Sequence, residues 1–320
     1  MPFLKKPILI LYISLIFSSL TLNGQNQQLS SEGTWVNNPY WYNPAISGSK
    51  DYNTLHFIYA TGENYESMVL SGDMRLTKKI DGYYNMPNYF SHSNIGLGYQ
   101  LFHISSEDVI SSGFKATGSY HFKLNENNTS FLSIGLSLHG SRNTVTTTPS
   151  IEFPDSTISE TSYDPNIDFG IYYYSPSLSI GLSATRILED ILPNDSITYF
   201  YEKRNYHFST AYKFVLYKPL KLLIEPSVIV NISDSIGNDL LNHISPMVKI
   251  YIDNFCFGSY LYNKDKISLF FRYNYPGIYL GGFIAISRKS PYYKKIPSIE
   301  LNAGINLSYN KSKRHRRFHW

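Results

Sequence analysis

The chain has 320 residues, among them 29 Tyr, 19 Phe and 3 Trp, and only 16% are charged, below the roughly 25% of an ordinary soluble domain. A hydrophobic fraction of 42% with negative mean hydropathy excludes a polytopic helical membrane protein, and the same apolar and aromatic content excludes intrinsic disorder. The formal charge of +4 comes from the two ends, Lys5 and Lys6 at one and Lys311, Lys313, Arg314, Arg316 and Arg317 at the other. With those set aside, basic residues fall just below the 24 acidic ones, which excludes a basic nucleic-acid-binding domain. The single Cys256 forbids an internal disulfide and a Cys-based zinc site.

The first element reads as an export signal. Lys5 and Lys6 precede an unbroken apolar run from Ile8 to Leu20, and Leu22-Asn23-Gly24 places a small residue before Gln25. This predicts a cleaved signal peptide over 1–24, since the run is too short to span a bilayer comfortably. No Cys follows it, so a lipoprotein is excluded, and no later apolar run is long enough for a transmembrane helix. Residues 25–53 come next, rich in Trp35, Tyr40, Trp41 and Tyr42 and without strand alternation.

From Thr54 onward, apolar and polar residues alternate in segments separated by Gly, Pro, Asn, Asp and Ser turns. The pattern predicts strands at 54–60, 67–76, 94–103, 112–122, 130–141, 166–174, 178–187, 205–214, 220–232, 243–252, 255–262, 267–274, 278–287 and 298–309. Around Phe131 to Ser141, Leu132, Ile134, Leu136 and Leu138 face one way, and Ser133, Gly135, Ser137 and His139 the other. The last segment sets Ile299, Leu301, Ala303, Ile305 and Leu307 against Glu300, Asn302, Gly304 and Asn306. The fold class is all-β. About 14 antiparallel strands, near the 9–11 residues a tilted strand needs, predict a transmembrane outer-membrane β-barrel over 54–309.

A soluble β-sandwich gives the same alternation. Loop length separates the two. Odd-numbered connections such as 142–165, 188–204, 233–242 and 288–297 are long, whereas even-numbered ones such as 175–177, 253–254 and 275–277 are short. An outer-membrane barrel sorts its connections in this way, short turns facing the periplasm and long loops outside. A Greek-key sandwich has no reason to do so. Connection 77–93 breaks the rule. The loops 61–66, 104–111, 142–165, 188–204 and 233–242 are each acidic, but 288–297 carries Arg288, Lys289, Lys294 and Lys295, a candidate partner loop or a merely solvated one. The basic tail 310–320 falls on the periplasmic side. Tyr83-Tyr84, Tyr172-Tyr173-Tyr174, Tyr273/Tyr275/Tyr279 and Tyr292-Tyr293 are candidates for the interfacial girdles.

Catalytic chemistry finds little to build on. The His residues are scattered one per segment with no HExxH, and Gly181-Leu182-Ser183-Ala184-Thr185 lacks the second Gly of a nucleophile elbow. His139 near Ser137 reads as two polar lumen residues. No enzyme, metal site or cofactor is predicted.

The stretch Trp35-Val36-Asn37-Asn38-Pro39-Tyr40-Trp41-Tyr42-Asn43-Pro44-Ala45-Ile46-Ser47-Gly48-Ser49 resembles the opening of the PorP/SprF family, whose Asn-Pro-Ala…Gly-Ser element is matched by Asn43, Pro44, Ala45, Gly48 and Ser49. A second block, Asp164 to Pro176, is similar to the family's mid-barrel block through Asp168, Phe169, Gly170, Tyr173 and Pro176, followed by Gly181, Leu182 and Ser183. The likeness runs from about Gln25 to Tyr309. It departs at 59–66, which lacks the family's basic, Trp-containing strand end, and at the tail KSKRHRRFHW.

The resemblance implies a barrel set in outer-membrane lipid that serves type IX secretion and gliding motility in Bacteroidota. It would help export, and retain at the cell surface, a large cognate protein with a type B C-terminal sorting domain, in contact with periplasmic peptidoglycan-associated components. The alternative is an outer-membrane channel or small-molecule transporter. Fourteen strands enclose a lumen wide enough to conduct, so residues 25–53 are expected to plug it or cross its periplasmic mouth, or else to wrap the barrel foot as a linker.

Overall fold

The computed structural model describes residues 33–50, 53–62, 65–79, 90–106, 109–125, 130–147, 158–188, 204–233, 243–262, 266–275, 277–287 and 298–307. The strands are β1 (Asn53–Gly62), β2 (Tyr65–Lys79), β3 (Phe90–Ser106), β4 (Val109–Lys123), β5 (Phe131–Thr147), β6 (Ile158–Tyr174), β7 (Leu178–Thr185), β8 (Asn205–Tyr212), β9 (Phe214–Tyr217), β10 (Leu222–Ser233), β11 (Ile244–Ile252), β12 (Phe255–Tyr262), β13 (Lys266–Tyr275), β14 (Ile278–Ser287) and β15 (Ser298–Leu307). Consecutive strands pair antiparallel except β8 with β9, and β1 pairs with β15 from Asn53↔Leu307 to Thr61↔Ile299, closing the sheet on itself. β8 and β9 both pair with β10 and form one wall strand broken at Lys213. The break lies near Pro226 of β10, which has no N–H to offer the ladder. The result is a closed barrel of fourteen antiparallel wall strands.

The two faces decide the barrel's solvent. Leu136 is 50% and Leu182 56% exposed, and Phe57, Leu97, Leu101, Phe114, Leu269, Ile284 and Leu301 are exposed with them on the outside. Leaving such a half-exposed side chain in water forgoes on the order of 1 kcal/mol of burial. A belt of this kind all round the wall is the lipid-facing band of a membrane barrel. The inward phase is the reverse: His56, Ser71, Asp73, Gln100, Lys115, Ser133 and Asp168 are buried.

Several expectations change. Strands on one side run far past the membrane requirement: β5 and β6 are 17 residues each and pair from Phe131↔Tyr174 up to Thr147↔Ile158. Much of the expected loop 142–165 is therefore ladder. Its Ser/Thr-rich sequence has no apolar face to reveal a strand, and Pro165, opposite Gly140, reads as a strand breaker. The expected loops 61–66 and 104–111 also shrink, since β1 to β4 extend into them. Within 77–93, β2 continues to Lys79 and β3 starts at Phe90, with a register shift between Arg75 and Thr77. The girdle tyrosines are redistributed. Tyr174 and Tyr279 are buried in the lumen, and Tyr172 stacks on Tyr174 at 5.5 Å. At the short-turn end the outward aromatics are Tyr120, Phe122, Tyr212, Phe214, Tyr217, Phe255 and Tyr275. Tyr83, Tyr84, Tyr292 and Tyr293 lie outside the described residues.

Candidate functional site

The lumen holds residues 33–50. This stretch cannot run as a long helix, because Pro39 and Pro44 interrupt it. It folds instead into a helical turn, α1 (Thr34–Asn37), and two 3-10 turns, Pro39–Trp41 and Pro44–Ile46, each with Pro in its first position. Asn43 caps the second, its side chain accepting from the Ala45 N–H at 3.0 Å. Tyr40, Ala45 and Ser47 are 1%, 0% and 0% exposed, so the segment is packed as tightly as a protein core.

The inner wall receives it through small residues and backbone hydrogen bonds. Asn43 Nδ2 donates to the carbonyls of Ile171 on β6 (3.1 Å) and Leu182 on β7 (3.3 Å). Ser183 donates to the Tyr42 carbonyl, Ser133 to that of Ala45 and Ser119 to that of Ser47, each at 2.7 Å. Gly135 on β5 faces the Pro44–Ala45 peptide so closely that a Cβ would overlap it, and Gly96 on β3 stands in the same relation to the Ser47 carbonyl. Gly48 turns the chain back with φ +68, a left-handed conformation that favours glycine, and any Cβ there would lie 2.7 Å from Gly96 Cα.

Charge locks the same contact. The Lys115 ammonium lies 2.5 Å from the Asp168 carboxylate and donates to the Trp41 carbonyl at 2.5 Å. His139 Nδ1 is 3.4 Å from Asp168, and Asp168 also accepts from the Arg186 backbone N–H at 2.9 Å. Arg186, with φ 62, ends β7 in a strained conformation held by that bond and by an ion pair to Asp164. Nearer the short-turn end, Asp73 accepts from the Gly48 N–H at 3.3 Å and lies 3.9 Å from Lys50. Burial pushes the Tyr40 phenol well above its ordinary pKa and lowers that of Lys50 against the pull of Asp73.

The opposite side of the lumen carries an apolar cluster set among buried polar side chains such as Glu225, Ser245 and Ser268. Trp35 stacks on Tyr42 with ring centroids 3.7 Å apart, and the pair belongs to one buried cluster with Leu223, Ile229, Met247, Tyr251, Phe270 and Phe283 from β10, β11, β13 and β14. The segment therefore sits between a polar, glycine-lined wall and one that mixes apolar with charged side chains. The lining is not the uniformly polar surface of a water-filled pore.

The residues singled out in the sequence divide clearly. Asn43, Pro44, Ala45 and Gly48 lie in the lumen, where Asn43 and Pro44 meet Gly170, Asn43 meets Gly181, and Ser183 holds Tyr42. Asp168 anchors the same face through Lys115. Phe169 and Leu182 point outward, 42% and 56% exposed, and Tyr173 shares their phase. Pro176 lies in the β6–β7 turn, and Ser49 donates its N–H to Ile46. Arg288, Lys289, Lys294 and Lys295 lie outside the described residues. Ser137 bonds Thr117 at 2.8 Å, while His139 faces Asp168, so these two side chains serve different partners. Lys115, Ser119 and Gly96 carried no expectation from the sequence, and Ser133 and Gly135 were placed on the polar face of their strand without a partner. Their signal was the inward phase of β3 to β5, where Gly and Ser stand at positions that a polar lumen alone leaves free for larger side chains.

A family model described as type IX secretion system membrane protein PorP/SprF matches residues 24–311. No curated protein matches the chain. Among solved structures, the chain is similar to BamA from Haemophilus ducreyi lacking POTRA domains 1-3, with 11% identity and a TM-score of 0.37, over 81% of this chain and 71% of that one. It is also similar to the Pseudomonas putida toluene transporter TodX, with 7% identity and a TM-score of 0.40, over 87% of this chain and 93% of that one.

Proposed function

The chain belongs to the PorP/SprF family of type IX secretion system membrane proteins, and on that premise we propose that it is a non-enzymatic outer-membrane anchor rather than a pore. In this reading it partners the secretion machinery in exporting a large protein with a type B C-terminal signal and retaining it at the cell surface. The periplasm lies at the short-turn end, the loop 288–297 and the acidic loops face the cargo, and periplasmic components meet the opposite mouth. Residues 1–24 are a cleaved signal.

One observation carries the choice of anchor over channel. The two stretches that resemble the family, some 130 residues apart in sequence, meet inside the barrel, where Asn43 bonds the carbonyls of Ile171 and Leu182. The segment is held to the wall by buried hydrogen bonds from Ser119, Ser133 and Ser183 and by Lys115 on the Trp41 carbonyl. It fills part of the lumen that an open diffusion channel would leave to water.

The test is affinity purification of the full chain from detergent-solubilised membranes of its own organism. A very large surface protein with a type IX sorting domain is expected to co-purify. A clean preparation without one, combined with ion conductance in planar bilayers, would favour the channel.

A further inference from the structure

A cavity of about 170 Å3 remains in the lumen beside the N-terminal segment. Its lining comes from the short-turn end of the barrel: Ser175 and Ser177 of the β6–β7 turn, Lys213 at the β8/β9 break, Asn274 near the end of β13, and Lys50 just ahead of β1. Four cationic side chains face it, Lys50, Lys213, Lys249 and Arg272, against one carboxylate, Glu225.

Glu225 is already engaged. It pairs with Lys249 at 3.0 Å and Lys213 at 3.8 Å and accepts from the Tyr251 hydroxyl at 3.1 Å. Lys50 leans on Asp73 at 3.9 Å, the limit of an ion pair. Arg272 has no carboxylate partner among the described residues. Its guanidinium stands 5.5 Å from the Tyr279 ring, and its Nε is buried without a hydrogen-bond acceptor. Like charges gathered in a semi-enclosed, low-dielectric space repel strongly unless a counter-charge joins them. A guanidinium presents a planar fork that matches an oxyanion.

We propose that this cavity is a binding site for a single oxyanion group, carboxylate or phosphate, held by Arg272 with Lys50 and Lys249 and reached from the short-turn mouth. The site lies between the wall and the N-terminal segment, so its occupant touches both and stabilises their contact. The proposal is independent of which protein the barrel exports.

The experiment uses the full mature chain in detergent at low ionic strength, because salt screens such a site. Inorganic phosphate and succinate are titrated separately by calorimetry, and thermal unfolding is followed in parallel. Saturable binding of either probe is expected, with a rise in Tm. The phosphate and succinate arms separate the two chemical sources. Arg272→Gln, which removes no ion pair, is expected to weaken binding at least fivefold. Glu225→Gln, which removes the competing carboxylate, is expected to tighten it, and a misfolded variant would not do that. Absence of saturable binding by both probes, or equal affinity in wild type and both variants, would overturn the proposal.

Discussion

Lys115 and Asp168 meet at 2.5 Å in the lumen with side chains 4% and 0% exposed. They join β4 to β6 across the intervening β5, and Lys115 also holds the Trp41 carbonyl. Removing one member of a buried pair costs about 3–5 kcal/mol, because the other charge stays uncompensated. Asp168→Asn and Lys115→Met are each expected to lose that much in equilibrium unfolding from detergent micelles. The double variant Lys115→Met/Asp168→Asn is expected to lose clearly less than the sum of the two singles, and losses that simply add would refute the coupling.

Gly135 tests whether the wall is shaped for the segment. Gly135→Ala drives a methyl group into the Pro44–Ala45 peptide, whereas Gly118→Ala meets nothing within 4 Å. Overpacking of this kind costs about 1–3 kcal/mol, so the first variant is expected to be destabilised and the second not. Limited trypsinolysis provides a readout specific to the segment: cleavage after Lys50 should accelerate in Gly135→Ala alone.

Asn43→Ala removes a donor to the ladder carbonyls of Ile171 and Leu182 and uncaps the turn at Pro44. Each lost hydrogen bond costs about 0.5–1.5 kcal/mol and a lost cap about 1 kcal/mol. The expected phenotype is a folded barrel with normal heat-modifiable gel mobility but with its N-terminal segment open to protease. Mobility lost together with protection would place Asn43 in barrel assembly instead.

Leu136→Arg probes the outer surface. For a half-exposed residue in water such a change stays within about 0.5 kcal/mol, whereas at the middle of a bilayer it costs about 2–4 kcal/mol. The large penalty is expected in lipid vesicles, measured by reversible folding in urea, and a neutral result would contradict the membrane band.

The wall was legible because a strand writes its two faces into alternate residues. Leu132 to Leu138 and Ile299 to Leu307 announce both their strand and their orientation, and loop parity then gave the barrel. The upper ladder of β5 and β6 was not legible: Ser141 to Thr147 is polar on both faces, and Pro165 reads as an end. The tyrosines show a different limit. Their crowding near strand ends pointed to the lipid interface, yet the phase set by Asp168 and Gly170 already turned Tyr172 and Tyr174 inward. Least legible was the clasp of Asn43, Ala45 and Ser47 by residues about 70 to 140 positions away, since a contact between a turn and a wall leaves no period in either stretch. Resemblance to a family marked several of these residues without giving a reason for them. The reason is steric: glycines and serines keep the wall shallow where the segment lies.

The seam between β1 and β15 joins the beginning of the wall to its end. Residues 33–50 are tied to the wall on both sides of that join: Gly33 donates its N–H to Glu300 of β15 at 3.1 Å, and Gly48 donates its N–H to Asp73 of β2 at 3.3 Å. The segment is thus a brace across the seam as well as a filling, and the ring's closure is fastened from within.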